Sequence, residues 1–481
     1  MSKNKLFSIL SASTLIVFVL SAILTVPALA DSGTTPPTTP SSGGGRSSNK
    51  GSSNSLSQVP SGTKVVVLDS SGNKVALGSQ AAADIISSGD PIWCPSTVSA
   101  PNNSGLSGCT LPANTLALLI SDIGTAGYNP THTNSTIWIS DAAPDGSSGA
   151  AIILNGFTQF SAWAPYSLTI KGGWNGTYGS SGITGVSTLS VPLEITHWGN
   201  AVTVSNLTVE NTNVGDYSTG DGLEVQTSGN ISLSNFTAYH DSAYGAYLDN
   251  TNGTGTVTIT NSELIYNNQL HNYWGLEVLS HGAITLTNDT VDDNYEAGGA
   301  YLDNCLWNNT LHVCNNSTAA PVTITSSTIS YNNAAAGYQG LQVDSTGVIT
   351  LNSVTASGNG YSSSGYGAYL DNCNAFLSTC TTNGKAITLT GANIFDGNQG
   401  YGLDAQSGGA ITSGGLEAND NYSYGAQLDN SGASSAMAVT LTGTSSFSGN
   451  THGDGLDIES TGAITVNNVS ADDNGGTGGD L

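Results

Sequence analysis

The chain has 481 residues, too many for one ordinary hydrophobic core, so it must form several domains or one elongated repeat array. Charged residues make up only 9% while glycine fills 61 positions, which excludes a fold built on ion-paired helices and favours β-structure with many turns. Eight basic residues against 34 acidic ones, a net charge of −26, exclude nucleic acid and anionic membranes as partners, because neutralising phosphates takes clustered Lys and Arg.

Residues 1–30 read as a removable signal peptide. Lys3 and Lys5 precede an apolar run from Ile9 to Leu24, and Ala28-Leu29-Ala30 forms an A-x-A cleavage pattern. The run is shorter than the ~20 residues a spanning helix needs, and no later segment is apolar enough to span. The expected location is secreted or at the cell surface, with no membrane span once the leader is removed. Residues 31–62 are Pro/Gly/Ser-rich, contain the only arginine (Arg46), and read as a flexible linker. Residues 63–133 form an N-terminal segment: Lys64–Asp69 (KVVVLD) predicts a strand, and Asn114–Gly124 (NTLALLISDIG) has apolar residues at helical spacing after a capping Asn.

From residue 134 to 481 the chain repeats. GAYLDN occurs at Gly245–Asn250, Gly299–Asn304 and Gly367–Asn372, with GAQLDN at Gly425–Asn430. Each copy follows a related half-unit that opens with GLEV, GLQV or GLDA at Gly222, Gly275, Gly340 or Gly402, and another such opening, GLDI, stands at Gly455. First halves span 23 to 27 residues and second halves 30 to 41, the latter carrying the insertions. Each half-unit contains three short strand candidates: GLEV, then ITLT, then a piece such as DTV. Turns rich in Gly, Asn, Asp and Ser separate them, which suits one rung of a parallel β-helix. Alternation places Leu223 and Val225, or Leu276 and Val278, in a stacked core.

The residue after each ITLT-type strand is Asn206, Asn235, Asn261, Asn288, Ser326, Ser353, Gly391, Gly415, Gly443 or Asn468. Asn and Gly tolerate left-handed backbone, so the same sharp bend is expected there in every rung, with stacked Asn amides bonding between rungs.

On these motifs the chain resembles the right-handed parallel β-helix repeat proteins of the pectin-lyase-like superfamily, and most of all large adhesin-like bacterial surface proteins. The resemblance implies an all-β, right-handed parallel β-helix solenoid with three short strands per rung, whose open N-terminal end the Asn114–Gly124 helix would cap. That scaffold hosts lyases, hydrolases, adhesins and passive stalks, so function must come from the site.

Six cysteines in a secreted chain imply disulfides, and three local bridges are the economical pairing: Cys94–Cys109, Cys305–Cys314 and Cys373–Cys380. They should pin protruding loops rather than build the core. A metal role is disfavoured, because no C-x-x-C spacing occurs and His312 is the one histidine between either inserted pair.

An enzyme of this superfamily would be a polysaccharide lyase or glycoside hydrolase. The lyases use a basic residue to abstract a sugar proton, yet the repeat region contains only Lys171 and Lys385. The hydrolases pair aspartates, and Asp292 with Asp293 is the candidate pair, as is Asp472 with Asp473. Both pairs align with turn sequences such as ASGN (Ala356–Asn359) and FDGN (Phe395–Asn398), which favours a turn role. His452, in THGDG, lacks the Arg-x-Lys partner of the hydrolase motif.

If Leu223 and Val225 point inward, Glu224 points outward. Successive rungs then present Glu224, Tyr247, Glu277, Tyr301, Gln342, Tyr369, Asp404, Gln427 and Asp457. One reading is electrostatic: interleaving tyrosines spaces the acids to about 9.6 Å, near a Debye length. The other is an elongated strip that binds an extracellular polysaccharide or cell-surface glycan, with Tyr rings stacked on sugar faces and carboxylates and amides on hydroxyls. Calcium is the one cofactor the acidic, Gly/Asp-containing segments Gly220–Glu224 and Gly453–Asp457 admit, without a tandem Gly/Asp loop pattern that would name ligands. Finally, Gly479 aligns with the glycine that opens GAYLDN. The sequence therefore stops as a rung begins, and a longer protein or a covering chain is expected.

Overall fold

The computed structural model describes residues 67–68, 74–75, 91–101, 109–110, 113, 115–124, 132–141, 150–210, 212, 220–267, 273–295, 298–308, 313–316, 318–332, 338–360, 365–373, 375–376, 379–380 and 385–481. The expected signal peptide, linker and His312 lie outside them. The described residues belong to one compact unit, Ser53–Leu481, and form an all-β solenoid of long, stacked, mostly parallel sheets.

The first sheet has twelve parallel strands, from Ile152–Asn155 through the GLEV- and GAYLDN-type strands to Gly479–Asp480. The second sheet contains the ITLT-type strands, and its N-terminal strand Ile92–Pro95 runs antiparallel to Ser135–Ser140. A further column of short segments stacks as Glu263–Ile265 on Thr290–Asp292, continues through the bridges Thr290–Thr328–Thr355–Ile394, and ends in a four-stranded sheet from Asn393–Ile394 to Val469–Ser470. Of the expected KVVVLD strand, Val67–Leu68 pairs antiparallel with Lys74–Val75, and its other residues lie outside the described ones.

Alternation decides the interior. In Ala246–Asp249 and its counterparts the first and third residues are buried and the second is half-buried. Leu223, Val225, Leu248, Val278 and Leu302 belong to one continuous core, each buried aliphatic side chain contributing about 1.5–3 kcal/mol. The helix Leu116–Gly124 packs Leu116, Leu119, Ile120 and Ile123 against the N-terminal end of that core. At its start the Leu118 N–H donates to Thr115 Oγ1 at 3.1 Å, so Thr115 is a capping side chain; the expected capping Asn114 lies outside the described residues.

The post-strand bend is left-handed at Asn206, Asn235, Asn261, Asn288, Ser326, Ser353, Gly391 and Asn468, with φ from 48° to 68°. Amides stack there as expected, Asn235 Nδ2 donating to Asn206 Oδ1 at 3.2 Å and Asn288 Nδ2 to Asn261 Oδ1 at 2.7 Å. Gly415 and Gly443 depart from the pattern, having no left-handed φ. At Gly443 a Cβ would collide with the Gly414 carbonyl, so glycine there permits close backbone approach.

A second asparagine column runs inside the solenoid, and its signal was hidden in segments that read as turns. Asn267, Asn294, Asn332, Asn359, Asn398, Asn421 and Asn450 are buried. Each Oδ1 accepts the backbone N–H of the preceding member, as in Asn332 N to Asn359 Oδ1 at 3.0 Å and Asn398 N to Asn421 Oδ1 at 2.9 Å. Each also satisfies polar groups that a buried bend would otherwise leave unpaired. This column explains the strand-opening glycines: a Cβ at Gly245 would sit 2.6 Å from Asn267 Nδ2 and 2.7 Å from the Gly275 carbonyl. The last rung shifts by one residue from the expected alignment. Gly478 takes the opening place, donation running from Leu456 N–H to its carbonyl, while Gly479 pairs with Leu456.

All three disulfides form as the local pairing anticipates. The expectation that they only pin loops fails for Cys94–Cys109, which packs with Ile92, Trp138 and Trp174 in a small separate core. Removing Cys373–Cys380, which encloses a separation of 7 residues, should lower stability by less than the ~2–4 kcal/mol of an average bridge. Cys94→Ser with Cys109→Ser should cost more, because buried packing is lost too. Melting temperatures of the two double variants give the order directly.

Candidate functional site

The first sheet brings together the outward residues expected from sequence. Its register aligns Glu224 with Tyr247, Tyr247 with Glu277, Glu277 with Tyr301, and Tyr301 with Gln342. It continues through Tyr369, Asp404, Gln427 and Asp457. Glu194 precedes this ladder and Asp480 follows it.

Two neighbouring columns were not anticipated. The residue two beyond each ladder position stays in the strand and faces outward, so Asp303 and Asp371 of the LDN segments and Asp344 of LQVD stand on three consecutive strands. At ~4.8 Å per strand, these acids are not spaced apart, so charge separation alone does not account for the face. The same aspartates close the turns: Asp303 Oδ1 accepts Cys305 N–H at 2.7 Å and Leu306 N–H at 2.6 Å, and Asp371 Oδ1 accepts Cys373 N–H at 2.8 Å. The second column is aromatic where the residue before a strand-opening glycine is Tyr244, Trp274, Tyr366, Tyr401 or Tyr424, and is interrupted at Gly298 and Gln339. Tyr366 stacks on Tyr401 with centroids 4.6 Å apart at 10°, Tyr401 meets Tyr424 at 4.8 Å, and Trp274 stacks on the ladder's Tyr301 at 5.4 Å. The recurring aromatic-Gly dipeptide was the available signal.

Because these rings lean over the ladder, outward side chains are half-buried, and Asp404 is only 5% exposed. No lysine or arginine lies in any strand of this sheet; phenols and amides serve the carboxylates instead. Tyr301 Oη donates to Asp303 Oδ2 at 3.0 Å, Gln342 Nε2 to Asp344 Oδ2 at 2.9 Å, and Gln427 Nε2 to Asp457 Oδ2 at 3.1 Å. Burial, then the charges of Asp303 and Asp371, push Asp344 up to about 7. Burial, then Asp371 and Asp429, push Asp404 up to about 7 against the lowering bond from Gln406. Burial also raises Glu224, Glu277 and Asp457. A face of this kind offers flat apolar platforms beside acceptors that no lysine or arginine of the sheet pairs with.

Asp292 and Asp293 lie elsewhere, on the third column of short segments. Asp293 has φ 56° and stacks in a left-handed bend with Tyr331, Gly358 and Gly397. Asp292 Oδ1 accepts the Ser330 N–H at 2.6 Å, and burial lifts it to about 6. Asp473 occupies the same kind of bend, with φ 58°. His452 stacks on Tyr422 at 4.2 Å. Among the described residues no three His, Cys, Asp or Glu side chains converge on a metal-binding arrangement, and no helix is long and apolar enough to cross a membrane.

No protein-family model, curated protein or solved structure matches the chain.

Proposed function

We propose that this is a secreted or cell-surface β-helix protein, serving adhesion or surface structure, that binds an extracellular polysaccharide along the outward face of its first sheet. The observation that carries the reading is the aromatic column running beside two columns of carboxylates and amides in strand-by-strand register. Sugar rings stack on aromatic faces, and their hydroxyls donate to carboxylates and amides, so an elongated polymer meets the same pair of features at three successive steps from Tyr366 to Tyr424. Three disulfides fit an oxidising compartment. We further infer three strands per rung, from the short segments that follow the ITLT-type strands, and a right-handed coil, the hand parallel strand crossovers adopt in nearly all folds.

The test is titration of the purified repeat region with oligosaccharide panels. Tyr366, Tyr401 and Tyr424 replaced together by Ala should weaken binding at least about tenfold, since each aromatic contact is worth roughly 0.5–1.5 kcal/mol. Tyr247, Tyr301 and Tyr369 replaced by Ser should weaken it as well while leaving circular dichroism unchanged, because their side chains lie outside the core. Unaltered affinity in both variants refutes the reading. A hydrolase reading draws on Asp344 and Asp404, which burial brings near neutrality, where a carboxyl group serves as a general acid. Release of reducing ends that depends on either residue would favour it.

A further inference from the structure

The charge of the strip narrows the ligand further, an inference that rests on the glycan-binding reading above. We propose that the strip takes a linear amino-sugar polymer carrying free amines, its pyranose faces on the aromatic column and its ammonium groups against Asp344, Asp404 and Asp457.

The argument begins with an unpaired atom. Asp404 Oδ1 is buried and accepts no hydrogen bond, an arrangement that costs about 1–3 kcal/mol, and more for a charged group. Its neighbours on the adjacent strands are Tyr369 and Gln427. Neither is free to serve it: Tyr369 Oη reaches Asp371 Oδ2 at 3.5 Å and Gln427 Nε2 reaches Asp457 Oδ2 at 3.1 Å. Gln406, in the same strand, bonds the Asp404 carboxylate, yet Oδ1 stays unpaired; a donor from outside the fold can serve it, and an ammonium supplies three donors together with the opposite charge.

The surroundings select the kind of cation. Asp303, Asp344 and Asp371 stand in register on consecutive strands with no lysine or arginine in the sheet, so uronate or sulfated polymers would be repelled. Of the lysines in the repeat region, Lys171 lies over the Trp138 ring, 4.6 Å from its centroid, and Lys385 precedes the ITLT-type strand Ile387–Thr390 of the second sheet. The strand rise of ~4.8 Å is close to the length of one pyranose unit, so a chain lying along the stack presents about one sugar per strand. The rings of Tyr366, Tyr401 and Tyr424 recur at that same step.

The experiment compares oligomers of glucosamine, N-acetylglucosamine and galacturonate by calorimetric titration of the repeat region, with spermine as a sugar-free polyamine. The expected result is binding of the glucosamine oligomer at least tenfold tighter than the N-acetylated one, weakening with added salt. Asp404→Asn should reduce that affinity roughly three- to tenfold, as loss of a charge-assisted bond does. Asp457→Asn, at a more open position, gives the same readout should Asp404→Asn fail to fold. If the N-acetylated or uronate oligomers bind as tightly, the amino-sugar inference falls while glycan binding stands. If no oligosaccharide binds, both fall. If spermine binds equally well and the triple Tyr variant leaves glucosamine binding unchanged, the strip is a plain cation attractor and the inference falls.

Discussion

Replacing Asn359 by Ala should destabilise the middle of the solenoid by about 3–5 kcal/mol, because several buried polar groups lose their partners at once. Asn359 Oδ1 accepts the Asn332 N–H at 3.0 Å and Asn332 Nδ2 at 3.1 Å, while its own Nδ2 donates to the Ile329 carbonyl at 3.0 Å. Water cannot substitute readily, since the side chain is fully enclosed. Leu or Ala fills none of these roles, and Asp could replace only the acceptor half. In a stacked array each rung contacts its neighbours, so the damage should be local at first. Hydrogen exchange should accelerate at the Asn332 amide, whose acceptor is lost, before it does near residue 231, and the melting temperature should fall. An Asn359→Ala protein with unchanged exchange and melting would mean that the column contributes nothing to stability.

The opposite effect is expected at the head of the same column. Asp241 stands where the following rungs have Asn: its N–H donates to Asn267 Oδ1 at 3.0 Å, and its Oδ1 accepts the Thr212 N–H at 3.2 Å. Asp241 Oδ2 is buried without a partner, in the place where an asparagine would present its amide. Burial first, then the nearby Asp221 and Glu210 charges, raises its carboxyl well above the ordinary range. The unfolded chain releases this proton near pH ~3.9, whereas the native state holds it to higher pH. Between those two values the native state binds more protons, so stability falls as pH rises and the loss is complete above the folded-state pKa. Asn cannot ionise and can donate from Nδ2, so Asp241→Asn should stabilise the protein by about 1–3 kcal/mol at neutral pH, with the ionisation part of the gain vanishing below about pH 4. Melting curves of both proteins across that range test the sign. A gain that does not shrink with acid would show that Asp241 is not the titrating group.

Much of the candidate site is legible in the repeats themselves. Copy-to-copy alignment of GLEV with GAYLDN places Glu224 and Tyr247 at one position, and the structure pairs them in register. The left-handed bend at Asn206 or Ser353 follows from the residue types that tolerate it. The two short loops bridged by Cys305–Cys314 and Cys373–Cys380 follow from spacing. Less legible was the role of the residues around each strand. Tyr366, Tyr401 and Asp344 carry no signal of their own in the sequence, because their neighbours appear only when the next rung is laid against them.

The sequence alone thus determines which side chains face in, since alternation with period two is local and recurs in each copy. It also determines that acidic residues far outnumber lysine and arginine, 34 against 8, since composition does not depend on folding. Only the tertiary structure decides that Asp303, Asp344 and Asp371 crowd one another, that aromatic rings half-bury the strip, that turn asparagines form an interior column, and that Asp241 and Asp404 each keep a carboxylate oxygen unpaired. The physical reason is separation along the chain. These groups are 23 to 41 residues apart, and the stacking of rungs sets both the distance between them and the water left around them.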